Sequence, residues 1–148
     1  MTTREELTVR VTHTFTASPE RVFDAWLQPE LLAQWIFGHT GLQEEVVHLR
    51  TDPRVGGAFS FLVRRGNEDV DHVGHYLEID RPRRLVFTWT VVPAPEEGSR
   101  VTIEITPRAG GCALTLTHEI PPAYAEWVKR TEEGWTKLVE ALGRALAS

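Results

Sequence analysis

Cysteine is almost missing from this chain: Cys112 stands alone among 148 residues, so no internal disulfide staples the fold. Long apolar runs are missing too, and nothing approaches the ~20 consecutive apolar residues that a bilayer-spanning helix requires. Positive charge is in deficit, with 16 Lys and Arg against 21 Asp and Glu for a net charge of −5. The basic residues are scattered, whereas phosphate backbones demand a concentrated basic surface, so nucleic acid is excluded as a partner. The opening MTTREELTVR has no apolar core and no cleavage site of a secretory signal. Together these absences set the expectation of a cytoplasmic protein.

Aromatics are plentiful: five Trp, six Phe and two Tyr. Such rings bring large apolar area and can border a cavity as well as fill a core. Length and a hydrophobic fraction of 41% suit a single domain over residues 1–148 with a substantial core.

Leu7, Val9, Val11, His13 and Phe15 alternate with polar residues, the period of a half-buried strand. Ser18-Pro19-Glu20 is a helix start, with Ser as cap, Pro in the first turn and a carboxylate at the positive dipole end. Val22, Phe23, Trp26 and Leu27 form that helix's buried stripe. A second short helix begins at Pro29, with Leu31, Leu32, Trp35 and Ile36 apolar. Strand patterns follow over 45–51, 58–65, 70–80 and 85–91, then two more running through Ile103 and Leu116. Pro121-Pro122 ends the sheet. Beyond it Trp127, Thr131, Trp135, Leu138, Leu142 and Leu146 recur on a helical period. Short connections between successive strands make hairpins, so the expected class is α+β with an antiparallel sheet of about seven strands. A long C-terminal helix across a curved sheet leaves a hollow between the two, a usual place for small apolar sites.

Several strings resemble a known family. They are Asp52-Pro53-Arg54-Val55-Gly56-Gly57 followed by Phe59 and Phe61, the run from Gly74 to Trp89, the run from Leu114 to Glu119, and Glu133-Gly134-Trp135. The chain is similar to the START-like (SRPBCC) superfamily, specifically to the C-terminal domain of the activator of the ninety-kilodalton heat-shock protein ATPase. That resemblance spans Val9 to Leu146. It implies the helix-grip fold and a cavity for a small hydrophobic or lipid-like ligand. The diversity of the superfamily also admits a polyketide-cyclase or dehydratase using the same cavity, or a co-chaperone-like interaction module. No cofactor is implied, and the expected state is a monomer or homodimer.

On this reading the pocket is lined by Trp35 and Phe37 near its entrance, by Phe59, Phe61, Tyr76, Phe87 and Trp89 from the sheet, and by Trp127, Thr131 and Trp135 from the long helix. His118 shares the parity of Leu114 and Leu116, so it faces either the pocket or a hydrogen-bond partner in the core. His118, Tyr76 and Thr131 are the candidates to orient a ligand. His72 and His75, three apart on a strand, point to opposite faces and make no metal pair. Ser60 faces away from Phe59 and Phe61, Ser18 is a cap, Ser99 falls in a loop, and no G-x-S-x-G turn is present. Cys112 reads as an inert thiol. Gly56-Gly57 precedes a strand rather than a helix and so cradles no phosphate. No catalytic constellation is recognisable. Glu78 suggests a bulge, because Tyr76 and Ile79 both belong inside.

Overall fold

A computed structural model describes residues 8–36, 45–92, 99–120 and 128–147. Strand β1 (Thr8–Phe15) leads to two short helices, α1 (Pro19–Asp24) and α2 (Pro29–Leu32). Six strands follow: β2 (Glu45–Thr51), β3 (Ala58–Arg65), β4 (Glu68–Asp80), β5 (Arg84–Val92), β6 (Ser99–Arg108) and β7 (Gly111–Glu119). Helix α3 (Val128–Ala147) completes the order. The sheet runs β1-β7-β6-β5-β4-β3-β2, antiparallel throughout. This is the expected helix-grip arrangement. Only β1 leaves its sequence neighbours, pairing with β7 across the sheet.

The strands form where the period of two predicts them. In β6, Val101, Ile103 and Ile105 are buried while Glu104 faces water and pairs with Arg84 at 3.0 Å. Ser18 caps α1 by accepting from Arg21 N at 3.2 Å. Two strands carry an extra residue. Pairing in β4 steps from Tyr76–Phe87 to Glu78–Val86, which leaves Leu77 as a bulge and turns both Tyr76 and Ile79 inward. A second bulge falls at Val47 on the edge strand β2, where it blunts an otherwise open edge.

The 20 residues of α3 give a rod of about 30 Å. Its second half lies against β1, so near that a Cβ at Gly143 would come within 2.8 Å of the His13 ring. Gly74 is required for a similar reason, since any side chain there would run into the Thr88 carbonyl and the Phe59 ring. Between helices and sheet sits one core, from Val9 and Leu116 through Phe87 to Trp135 and Leu142.

Candidate functional site

The aromatic residues converge on the concave face. Trp26 meets Trp35 edge-on with centroids 4.7 Å apart and Trp135 at 6.2 Å. Trp135 in turn lies 5.2 Å from Trp89, and Phe59 stands 5.6 Å from Phe87 in a T-shaped contact. These spacings are those of attractive ring pairs. They join α3, the short helices and β3 to β5 into one wall.

Inside that wall is a cavity of about 10 Å³. The sheet contributes Phe59 and Phe61 from β3, Tyr76 from β4, and Phe87 and Trp89 from β5. The short helices and the turns after them contribute Trp26, Leu32 and Ile36. The volume suffices for about one water molecule. This cavity is far smaller than the sequence suggests, because the Trp26 and Trp89 rings pack against Trp135 of α3 at 6.2 and 5.2 Å.

Five of the expected pocket residues thus meet at the cavity: Phe59, Phe61, Tyr76, Phe87 and Trp89. Trp35 does not line it; it is buried one layer away, where Nε1 donates to the Ala25 carbonyl at 3.0 Å. Trp135 lies behind Trp89 and Trp26, and Thr131 is half-buried on α3 without lining the cavity. Phe37 and Trp127 lie outside the described residues. Sequence reasoning missed Trp26, Leu32 and Ile36 as lining residues. Their signal is the apolar stripe of the short helices, from which the sequence reading places only Trp35 at the pocket.

His118 does not reach the cavity. It is buried between two partners whose chemistry settles the position of every proton. Trp135 Nε1 can only donate, and it donates to His118 Nδ1 at 2.9 Å. The neutral ring then carries its hydrogen on Nε2 and donates to Ser99 Oγ, 2.5 Å away. Ser99 passes its own hydrogen to the Trp89 carbonyl at 3.0 Å. Burial lowers the His118 pKa from 6.5 to about 4, opposed by the nearby Glu119 carboxylate. Ser99 is not in a loop: it opens β6, paired with Trp89, because its hydroxyl closes this chain. A nucleophilic serine must give its proton to the imidazole. Here the imidazole gives its proton to the serine, so Ser99 and His118 are not assembled as nucleophile and base.

A Ser–His–Asp group lies on the outer face of the sheet. Ser60 Oγ donates to Asp71 Oδ1 at 2.7 Å, with His48 Nε2 at 2.9 Å from the same hydroxyl. Serine occupies the middle, whereas a catalytic triad needs the histidine there. His72 is buried with Nδ1 3.0 Å from the Phe61 carbonyl, while His75 is exposed on the other face. Their opposite orientation agrees with the strand period.

Tyr76 and Trp26, which line the cavity, each carry a buried polar atom. Tyr76 Oη and Trp26 Nε1 are buried and without a hydrogen-bond partner among the described residues. Burial, and secondarily the negative charge of Asp52, raises the Tyr76 pKa well above its ordinary value of 10.0, so the hydroxyl keeps its proton.

The family model described as Activator of Hsp90 ATPase homolog 1-like protein matches residues 16–147. The chain belongs to this family. Its helix-grip fold places it with the START-like superfamily, as the resemblance implied. Protein CV1439 from Chromobacterium violaceum is similar at 25% identity, with a TM-score of 0.79 over 96% of this chain and 98% of that one. The AHSA1-like protein from Aeromonas hydrophila shares the fold at 20% identity and a TM-score of 0.79, over 95% and 92% of the two chains. DynU16, a protein in the dynemicin biosynthetic locus, is 25% identical with a TM-score of 0.76, over 96% of this chain and 48% of that one. No curated protein matches the sequence. Among the described residues, no helix is long and apolar enough to cross a membrane.

Proposed function

We propose that this member of the activator-homologue family binds a small hydrophobic molecule between the sheet and the helices. One observation carries the reading: among the described residues, eight side chains from the short helices, the turns after them and three strands border a common apolar space, and none of the eight is charged. At about 10 Å³ that space is small, while a void of ~150 Å³ is the scale that admits benzene. Binding therefore proceeds by displacement of aromatic side chains, with Trp89, only half-buried, the readiest to move. Each ligand CH₂ taken from water returns ~0.8 kcal/mol, which offsets the opening. The similar protein from a biosynthetic locus supports a small-molecule role. An interaction module would expose a broad apolar face; the large exposed apolar side chains described are Val46, Val47, Val55 and Leu77.

The test is an NMR titration with ethylbenzene, a hydrocarbon of suitable size. Saturable shifts at the Trp26 and Trp89 indole protons are expected. No change in either resonance at the solubility limit would sink the proposal.

A further inference from the structure

Indole and phenol groups buried in a protein ordinarily find a hydrogen-bond partner. Trp35 and Trp135 obey this rule, donating to Ala25 O and to His118 Nδ1. Trp26 Nε1 and Tyr76 Oη break it, although their residues are only 4% and 2% exposed. Both residues line the same cavity, one from the turn after α1 and the other from β4 at the bulge. Two unpartnered polar groups, both on residues of one largely apolar cavity, are unmet demands that an incoming oxygen can satisfy.

The surroundings define what kind of oxygen. Indole N–H is a donor only, and the Tyr76 hydroxyl donates as readily as it accepts. Among the described residues no lining side chain is cationic, so a carboxylate or phosphate would find no counter-charge among them. An ammonium has no lone pair to offer the indole N–H, which disfavours a charged amine, and the Asp52 charge that acts on Tyr76 further disfavours an anion. Six of the eight described lining side chains are aromatic, and rings pack best against other flat rings. The void itself has the volume of about one oxygen with its hydrogens.

We propose that Trp26 and Tyr76 form a donor pair that selects a neutral, flat apolar ligand bearing a carbonyl-type oxygen. The inference rests on the ligand-binding reading above and adds the chemical class. The oxygen fits the space already present, and the apolar body enters beside it as side chains move.

Acetophenone and ethylbenzene test this, because they share size and ring and differ in the oxygen. Affinities are measured by NMR titration for the wild type, Tyr76→Phe and Trp26→Phe. The preference for acetophenone over ethylbenzene is expected to fall about tenfold in each variant, the worth of one ordinary hydrogen bond, whatever the altered cavity does to both probes in common. In the wild type, acetophenone alone should move the Trp26 indole proton downfield as it becomes hydrogen-bonded. That readout stands even if Trp26→Phe fails to fold. If both probes lose affinity alike, or neither does, the donor pair is refuted while the apolar site survives. If neither probe binds the wild type, both readings fall.

Discussion

Lowering the pH should loosen this fold through His118. The ring is neutral and buried, accepting from Trp135 and donating to Ser99. A proton added to Nδ1 would face the indole N–H directly, so the charged form loses that bond as well as its hydration. In the unfolded chain the imidazole titrates near its ordinary 6.5, and in the fold burial holds it to about 4. Between those values the unfolded state binds the proton first, and stability must fall as pH falls. Each pH unit is worth ~1.4 kcal/mol, so this residue removes about 3 kcal/mol in all. The loss begins below about pH 6.5 and is complete below about pH 4.

Urea unfolding followed by tryptophan fluorescence, repeated from about pH 7 to about pH 4, gives the slope. His118→Gln supplies the reference, since the amide oxygen can accept from Trp135 and the amide nitrogen can donate to Ser99. Glu119 and its partner Arg100 remain in both proteins, so their contribution cancels. The wild type should lose about 3 kcal/mol more than the variant across this range. Parallel pH profiles for the two proteins would refute the buried neutral imidazole.

Trp135→Ala should cost about 3–5 kcal/mol in the same urea assay, because it deletes a buried ring and orphans His118 Nδ1; a loss below about 1 kcal/mol would place the indole outside the core. Cys112 is 1% exposed with Sγ near the Ala17 carbonyl at 3.5 Å, and burial, then the charge of Glu20, raises its pKa. A thiol-specific disulfide reagent should therefore label it only as the protein unfolds; rapid labelling under native conditions would contradict the packing.

Alternation made the strands legible. Val101, Ile103 and Ile105 announce one buried face, and the paired inward demands of Tyr76 and Ile79 betrayed the bulge between them. The helical period placed Trp135 inside correctly. What stayed hidden depended on rotamers of residues far apart in the chain. Trp26 and Trp89 are 63 positions apart, and only their packing decides how much of the hollow remains. The direction of the Trp135–His118–Ser99 chain was equally invisible, because it needs β5, β6, β7 and α3 in register before any proton has a defined place. His48, Ser60 and Asp71 meet only because three strands align side by side.

The bulge at Leu77 divides β4 into two stretches of opposite parity. Before it, the even positions His72, Gly74 and Tyr76 look inward; after it, the odd Ile79 does. Leu77 itself is left facing water beside Val55, whose neighbours Gly56 and Gly57 bond to the Tyr76 backbone. Deleting Leu77 itself would leave Tyr76, Glu78 and Ile79 opposite Phe87, Val86 and Leu85 in unbroken alternation, whereas deleting Glu78 with the bulge kept would exchange inside for outside in the rest of the strand. Anyone reshaping this wall must therefore switch from counting in even numbers to counting in odd ones partway along a single strand.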